Sequence, residues 1–378
     1  MSVKGSIRYG SCSKINAIVM NTNKKQRDSN IELFRIFLML TIIAGHYVVN
    51  SGLRDVMNEN FSSPRTFFYY IFGYGGKIGI NCFVLVTGYF MCKSNITIRK
   101  FLKLLLEVEF YRIVIFLIFV ISGYETLSAK TIYYAVWPLR KISNGFTPAF
   151  LLFFLFIPFL NILIRNMEKK THGRLILLCL FIYTLLGSIP KITFEWNYVS
   201  WFCILYFVAS YIRLYDIPHK NSTKYWLRMT FLFWIAFVVT TILIIWINKR
   251  YHIKIDPWYL VMDSNKLLAL LIAISAFNLF RNIHLPYNKF INWIAQSTFG
   301  VFLIHANSDA MRQWLWKDTL NVANQFHSDF FIIHAILSVL CVYFICVLID
   351  RIRILFIEKP VFSILDRWLT KKSRLFSN

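Results

Sequence analysis

The chain has 378 residues, of which 57% are hydrophobic, 18% aromatic and only 16% charged. That balance is far too apolar for a water-soluble domain of this size and marks an integral membrane protein. Its net charge of +24 does not call for nucleic acid, because the basic residues sit mainly in short segments between apolar stretches.

Stretches near the roughly 20 apolar residues that a helix needs to cross a bilayer recur along the whole length. They predict an all-α polytopic membrane bundle of about ten transmembrane helices, over 30–50, 66–92, 102–122, 146–164, 174–190, 198–215, 229–248, 258–280, 290–306 and 328–350. The implied organisation is a basic lead-in over 1–28, a transmembrane domain over 29–352 and a basic tail over 353–378. Residues 1–28 contain neither a long apolar core nor a cleavage pattern, so they do not read as a secretory signal. Basic groups such as Lys24, Lys25, Arg27, Lys93, Arg165, Lys220, Arg351, Arg353, Lys371, Lys372 and Arg374 fall on one side of this layout. Fewer, including Arg54, Arg65, Arg140, Lys141 and Arg312, fall on the other, which predicts that both termini are cytoplasmic.

The first span, "SNIELFRIFLMLTIIAGHYVVN" (29–50), keeps Arg35 and His46 in an otherwise apolar run. Ser29 and Glu32 fit a capping box, which starts the helix near Asn30 and gives Glu32 a capping role. Eleven residues at about 100° each make three turns plus about 20°, so Arg35 and His46 leave one face about 16 Å apart. Either residue alone has an ordinary explanation, a snorkelling arginine or a hydrogen-bonded core histidine. Sharing a face inside a span, they point to a cavity with chemistry in it. An imidazole is the usual general base for a hydroxyl, and a permanently charged guanidinium suits a phosphate.

In the second span, Gly73, Gly75, Gly76 and Gly79 disfavour unbroken helix and point to close helix packing or a cavity wall. Lys77 and Asn81 lie among them; Lys77 either contacts an acceptor or a developing oxyanion, or snorkels outward. At the start of the third span, Arg99 and Lys103 are four apart and share a face that suits phosphates, unless they are ordinary positive-inside charges. Glu109 and Arg112, three apart, are placed to pair, as are Asp263 and Lys266 in the eighth span. His305 closes the ninth span, and the topology sets it near His46 at the outer mouth as a second site histidine. The seven cysteines form no CxxC pair and read as packing residues; no zinc-like spacing appears, so no metal is expected.

These residues resemble the membrane acyltransferase-3 family, whose first span carries Arg, ten residues, then His, as Arg35 and His46 do here. "GGKIGINCFVLVTGYFM" (75–91) resembles its glycine-rich second span, "FIPFLNILI" (156–164) its Pro-Phe-Leu-Asn span end and "WFCILYFVASYIRLY" (201–215) its aromatic sixth span. "STFGVFLIH" (297–305) resembles the polysaccharide O-acetyltransferase branch. Two departures are the spacing of Arg99 and Lys103 and the stretch "GFTPAFLLFF" (145–154). The resemblance implies a multi-pass protein of a bacterial plasma membrane that moves an acetyl or similar short acyl group from cytoplasmic acyl-coenzyme A to a hydroxyl of an exported polysaccharide or lipid-linked glycan. Its partners are then the bilayer, the acyl-coenzyme A donor and the glycan, with no nucleic acid. In that scheme Arg35, Arg99 and Lys103 meet the donor phosphates, His46 is the base, and Lys77, Asn81 or His305 contacts the acceptor or oxyanion. Direct transfer and an acyl-histidine relay both remain open. Polar residues in a bundle equally suit a transporter of a glycan precursor or small anion, the alternative reading.

Overall fold

A computed structural model describes residues 27–364 apart from 140–141, 143–144, 193–194 and 216–221, together with residue 367. The lead-in with Cys12, Lys24 and Lys25, the loop cations Arg140 and Lys141, Lys220, and the tail's Lys371, Lys372 and Arg374 lie outside the described residues.

Among the described residues every regular element is helical. In chain order these are α1 (Ser29–Val49), α2 (Leu53–Glu59), α3 (Pro64–Gly73), α4 (Gly75–Met91), α5 (Ile98–Ile121), α6 (Ala129–Val136), α7 (Phe146–Arg165), α8 (Lys169–Leu180), α9 (Tyr198–Leu214), α10 (Thr223–Tyr251), α11 (Leu267–Asn282), α12 (Lys289–Ala295), α13 (Thr298–His305), α14 (Asp309–Arg312) and α15 (Phe331–Arg353). Five helical stretches are long and apolar enough to cross a membrane: α1, the pair α3–α4, α7, α10, and α15 with its continuation to Ile364. The third predicted span is α5, which carries six charged residues from Arg99 to Arg112. The predicted eighth span begins as turns and becomes helix only at Leu267, and the ninth is two short helices, α12 and α13.

Helix α1 is the central post, packed against α3, α4, α11, α12, α13 and α15. Its closest crossing is made by glycine. A Cβ on Gly45 would stand 3.2 Å from the Gly73 carbonyl oxygen and 3.2 Å from Gly76 Cα, and one on Gly79 would meet Ile42 at 2.7 Å. The glycines of the second span are therefore a helix-contact stripe that lets two backbones touch beside His46. Helix α10 is the opposite case: only 11% of its most apolar window is buried, so it packs on α11 and offers its remaining faces to lipid.

The start of α1 corrects the capping-box reading. Its N-cap is Asp28, with no side-chain cap. Ser29 Oγ instead accepts from the Asn288 amide at 2.8 Å and from Asn292 Nδ2 at 3.2 Å, tying α1 to α12. That leaves Glu32 to bind Arg35 at 2.9 Å and Arg27 at 3.6 Å.

At the same end, Arg353, counted with the tail in the sequence, is buried at 5% exposure. Its three donors reach Asp350, Glu358 and Glu107 at 2.9, 2.9 and 3.0 Å, and Tyr111 donates to Asp350 at 2.7 Å. A buried guanidinium is tolerated only when its donors are this fully paired. A Cβ on Gly300 would lie 2.2 Å from Asp350 Oδ1, so only glycine lets α13 pack here.

Candidate active site

Residues 35, 39, 42, 46 and 49 of α1, spaced four, three, four and three, form one stripe down the post. Arg35, Met39 and Ile42 line one cavity of about 400 Å³. Ile42, His46 and Val49 line a second of about 480 Å³. The two abut: Ile42, Ile80, Phe146 and Phe302 line both, with the Phe146 and Phe302 rings edge to face at 5.0 Å. The shared face of Arg35 and His46 predicts one cavity. The structure has two chambers that meet at an apolar constriction.

The histidine chamber is organised by a relay. His46 Nδ1 lies 3.0 Å from His305 Nε2, and His305 Nδ1 lies 2.6 Å from the Val301 carbonyl oxygen. A carbonyl only accepts, so His305 Nδ1 carries the proton, and the Nε2 of its neutral ring is an acceptor. His46 must then donate from Nδ1, which leaves Nε2 as its basic nitrogen. Phe302 lies against both rings, at 6.1 Å from His46 and 6.0 Å from His305. His305 itself is completely buried with both nitrogens engaged. His305 thus stands behind His46, hydrogen-bonded to it, and is not among the residues that line the chamber.

Lys77 lines the same chamber and donates to the Tyr198 hydroxyl at 2.7 Å. Asn81 does not line it. Its Nδ2 donates to the Ser264 carbonyl at 2.7 Å and its Oδ1 accepts from Trp201 Nε1 at 2.8 Å, so this fully buried amide is a strut between helices. Four further residues of the chamber escaped the sequence reading: Arg54, Tyr198, Asp256 and Arg312. They come from loops or helix ends distant in the chain, and no periodic pattern links them.

The arginine chamber contains Arg27, Arg35, Lys100 and Lys103 with Glu32 and Glu107, a net positive lining. Lys103 also forms an ion pair with Glu358. Arg99 lies elsewhere, its guanidinium over the Phe362 ring at 5.4 Å. The sequence pairs Arg99 with Lys103 at i and i+4, whereas the wall uses Lys100 and Lys103 at i and i+3. Both spacings share a helix face, and only the packing of α5 selects between them. Among the described residues, no group of three or more His, Cys, Asp or Glu side chains is placed to hold a metal.

Fold and site thus define a helical membrane protein with a tautomer-fixed imidazole at one end of its central helix and a cationic chamber at the other. The model of the acyltransferase domain family known as acyltransferase 3 matches residues 28–351, and the chain belongs to that family. No curated protein and no solved structure matches it.

Proposed function

We propose that this membrane acyltransferase moves an acetyl or similar short acyl group from acyl-coenzyme A, entering at the Arg35 end, to a hydroxyl of a surface polysaccharide or lipid-linked glycan held beside His46. The observation that carries the reading is the Val301–His305–His46 relay, because it dedicates one nitrogen of a cavity imidazole to taking a proton. In this reading the protein has about ten spans in a bacterial plasma membrane, and basic-residue asymmetry supports cytoplasmic termini, with the arginine chamber then on the side where acyl-coenzyme A resides.

In the step we assign, His46 Nε2 accepts the hydroxyl proton as the acceptor oxygen bonds to the thioester carbonyl carbon. The ammonium of Lys77 balances the oxyanion. As the C–S bond breaks, the leaving thiolate takes the proton back from His46, and the ester and free thiol remain. While His46 is protonated, the Nε2 of His305 still accepts from it, so the relay holds the imidazolium in place. In a relay mechanism the same nitrogen would carry the acyl group, and rapid quenching with labelled donor separates the two routes. Family membership weighs against the transport alternative.

The test uses purified full-length protein with labelled acetyl-coenzyme A, alongside the ester content of the surface polysaccharide in cells carrying the intact gene or His46→Ala. The reading predicts acceptor-dependent release of coenzyme A and loss of one ester per repeat in the variant. Unchanged acylation in the variant sinks it.

A further inference from the structure

The charged residues that line the histidine chamber are Arg54, Lys77 and Arg312 against the single carboxylate of Asp256. Arg54 is matched: its Nη2 is 2.7 Å from Asp256 Oδ2, and its guanidinium lies over the Trp258 ring at 4.8 Å. Two cations are left over. Lys77 gives its hydrogen bond to a neutral phenol. Arg312 bonds Asp309 at 3.0 Å, but that carboxylate lies outside the lining with its side chain 70% exposed, where water and salt screen it.

Acyl transfer through an uncharged base develops one negative charge at the thioester oxygen, and only transiently. One cation balances it. The second has no counterpart in the reaction, yet it lines the chamber that narrows toward the arginine end at Phe146 and Phe302. A neutral sugar is recognised by groups that both donate and accept hydrogen bonds, and a guanidinium only donates. A planar, permanently charged fork suits a carboxylate or phosphate oxygen pair.

We infer that the acceptor is an acidic glycan, with a fixed negative charge on or next to the sugar that receives the acyl group. Lys77 and Arg312 divide the two charges between oxyanion and acceptor. This inference rests on the acyl-transfer reading above.

The experiment takes de-O-acylated fragments of the host's surface polysaccharide as acceptors for the full-length protein with labelled acetyl-coenzyme A. Intact fragments are compared with fragments whose carboxylates have been reduced to alcohols, and with fragments freed of phosphodiesters, which distinguishes the two sources of charge. One of these treatments should lower kcat/KM for the acceptor at least about tenfold, the scale of one lost charge-assisted contact. Arg312→Gln should raise the acceptor KM by about the same factor, while the KM for acetyl-coenzyme A is unchanged and Arg312→Lys recovers part of the loss. Equal use of charged and neutralised fragments overturns the inference, as does an acylated repeat with no acidic group on or beside the modified sugar. If no fragment, charged or neutralised, receives an acyl group, the acyl-transfer reading itself fails, and this inference with it.

Discussion

The two chambers sit on one stripe of one helix, yet they are built by different rules. In the arginine chamber, charge is redundant and adjustable. Four cations on long side chains face two carboxylates, and three of those cations already hold acidic partners, Arg27 and Arg35 in Glu32 and Lys103 in Glu358. In the histidine chamber the proposed base has a single fixed pose, set by two consecutive hydrogen bonds, beside a tight glycine crossing at Gly45. A site that holds a flexible polyanion tolerates variation in where its charges stand. A site that must take a proton at one nitrogen does not, because the wrong tautomer presents a donor where a base is required.

The sharpest way to break this contrast is His46→Ala. It should lower kcat by about 10³-fold, within the range of a lost general base, and leave the affinity for acetyl-coenzyme A intact, as equilibrium binding would read. A parallel loss of donor binding would mean the chambers are not separate sites. His305→Gln comes next: with the orienting acceptor altered but His46 retained, kcat should fall by about 10²-fold with little change in KM for the donor. A variant of full activity would show that the relay is only packing.

Arg35→Gln tests the other end. Loss of one of four cations should raise KM for acetyl-coenzyme A by about tenfold and leave kcat nearly unchanged, since the contact is equally present in ground and transition states. A drop confined to kcat would move Arg35 into the chemistry. The smallest functional effect is expected from Asn81→Ala. It leaves the Trp201 indole and the Ser264 carbonyl unpaired and should cost about 1–3 kcal/mol of stability, seen as a lower melting temperature, with activity per folded molecule retained.

Much of the architecture was legible from residue order. Five of the ten predicted spans coincide with helical stretches long and apolar enough to cross a membrane, and the shared face of Arg35 and His46 follows from the pitch of a helix alone. Other readings failed where two answers satisfy the same period. Arg99 and Lys100 both share a face with Lys103, and Glu32 served equally well as a cap or as a partner for Arg35. Asn81 and His305 look like site residues in the sequence because they are polar within spans. One is a strut and the other stands behind His46, because each polar side-chain atom already has a partner, either more than a hundred residues away or a carbonyl one turn back.

Residue order alone is enough for a membrane-embedded helical protein with one helix face carrying a guanidinium and an imidazole, because hydropathy and helical pitch are local properties. Which nitrogen of His46 is basic, that Lys100 rather than Arg99 meets the arginine chamber, and that two chambers meet at a pair of phenylalanines come from the packing of distant helices. Those facts depend on hydrogen bonds and ring contacts between residues as distant as His46 and His305, and no periodicity along a chain encodes which remote partner a side chain will meet.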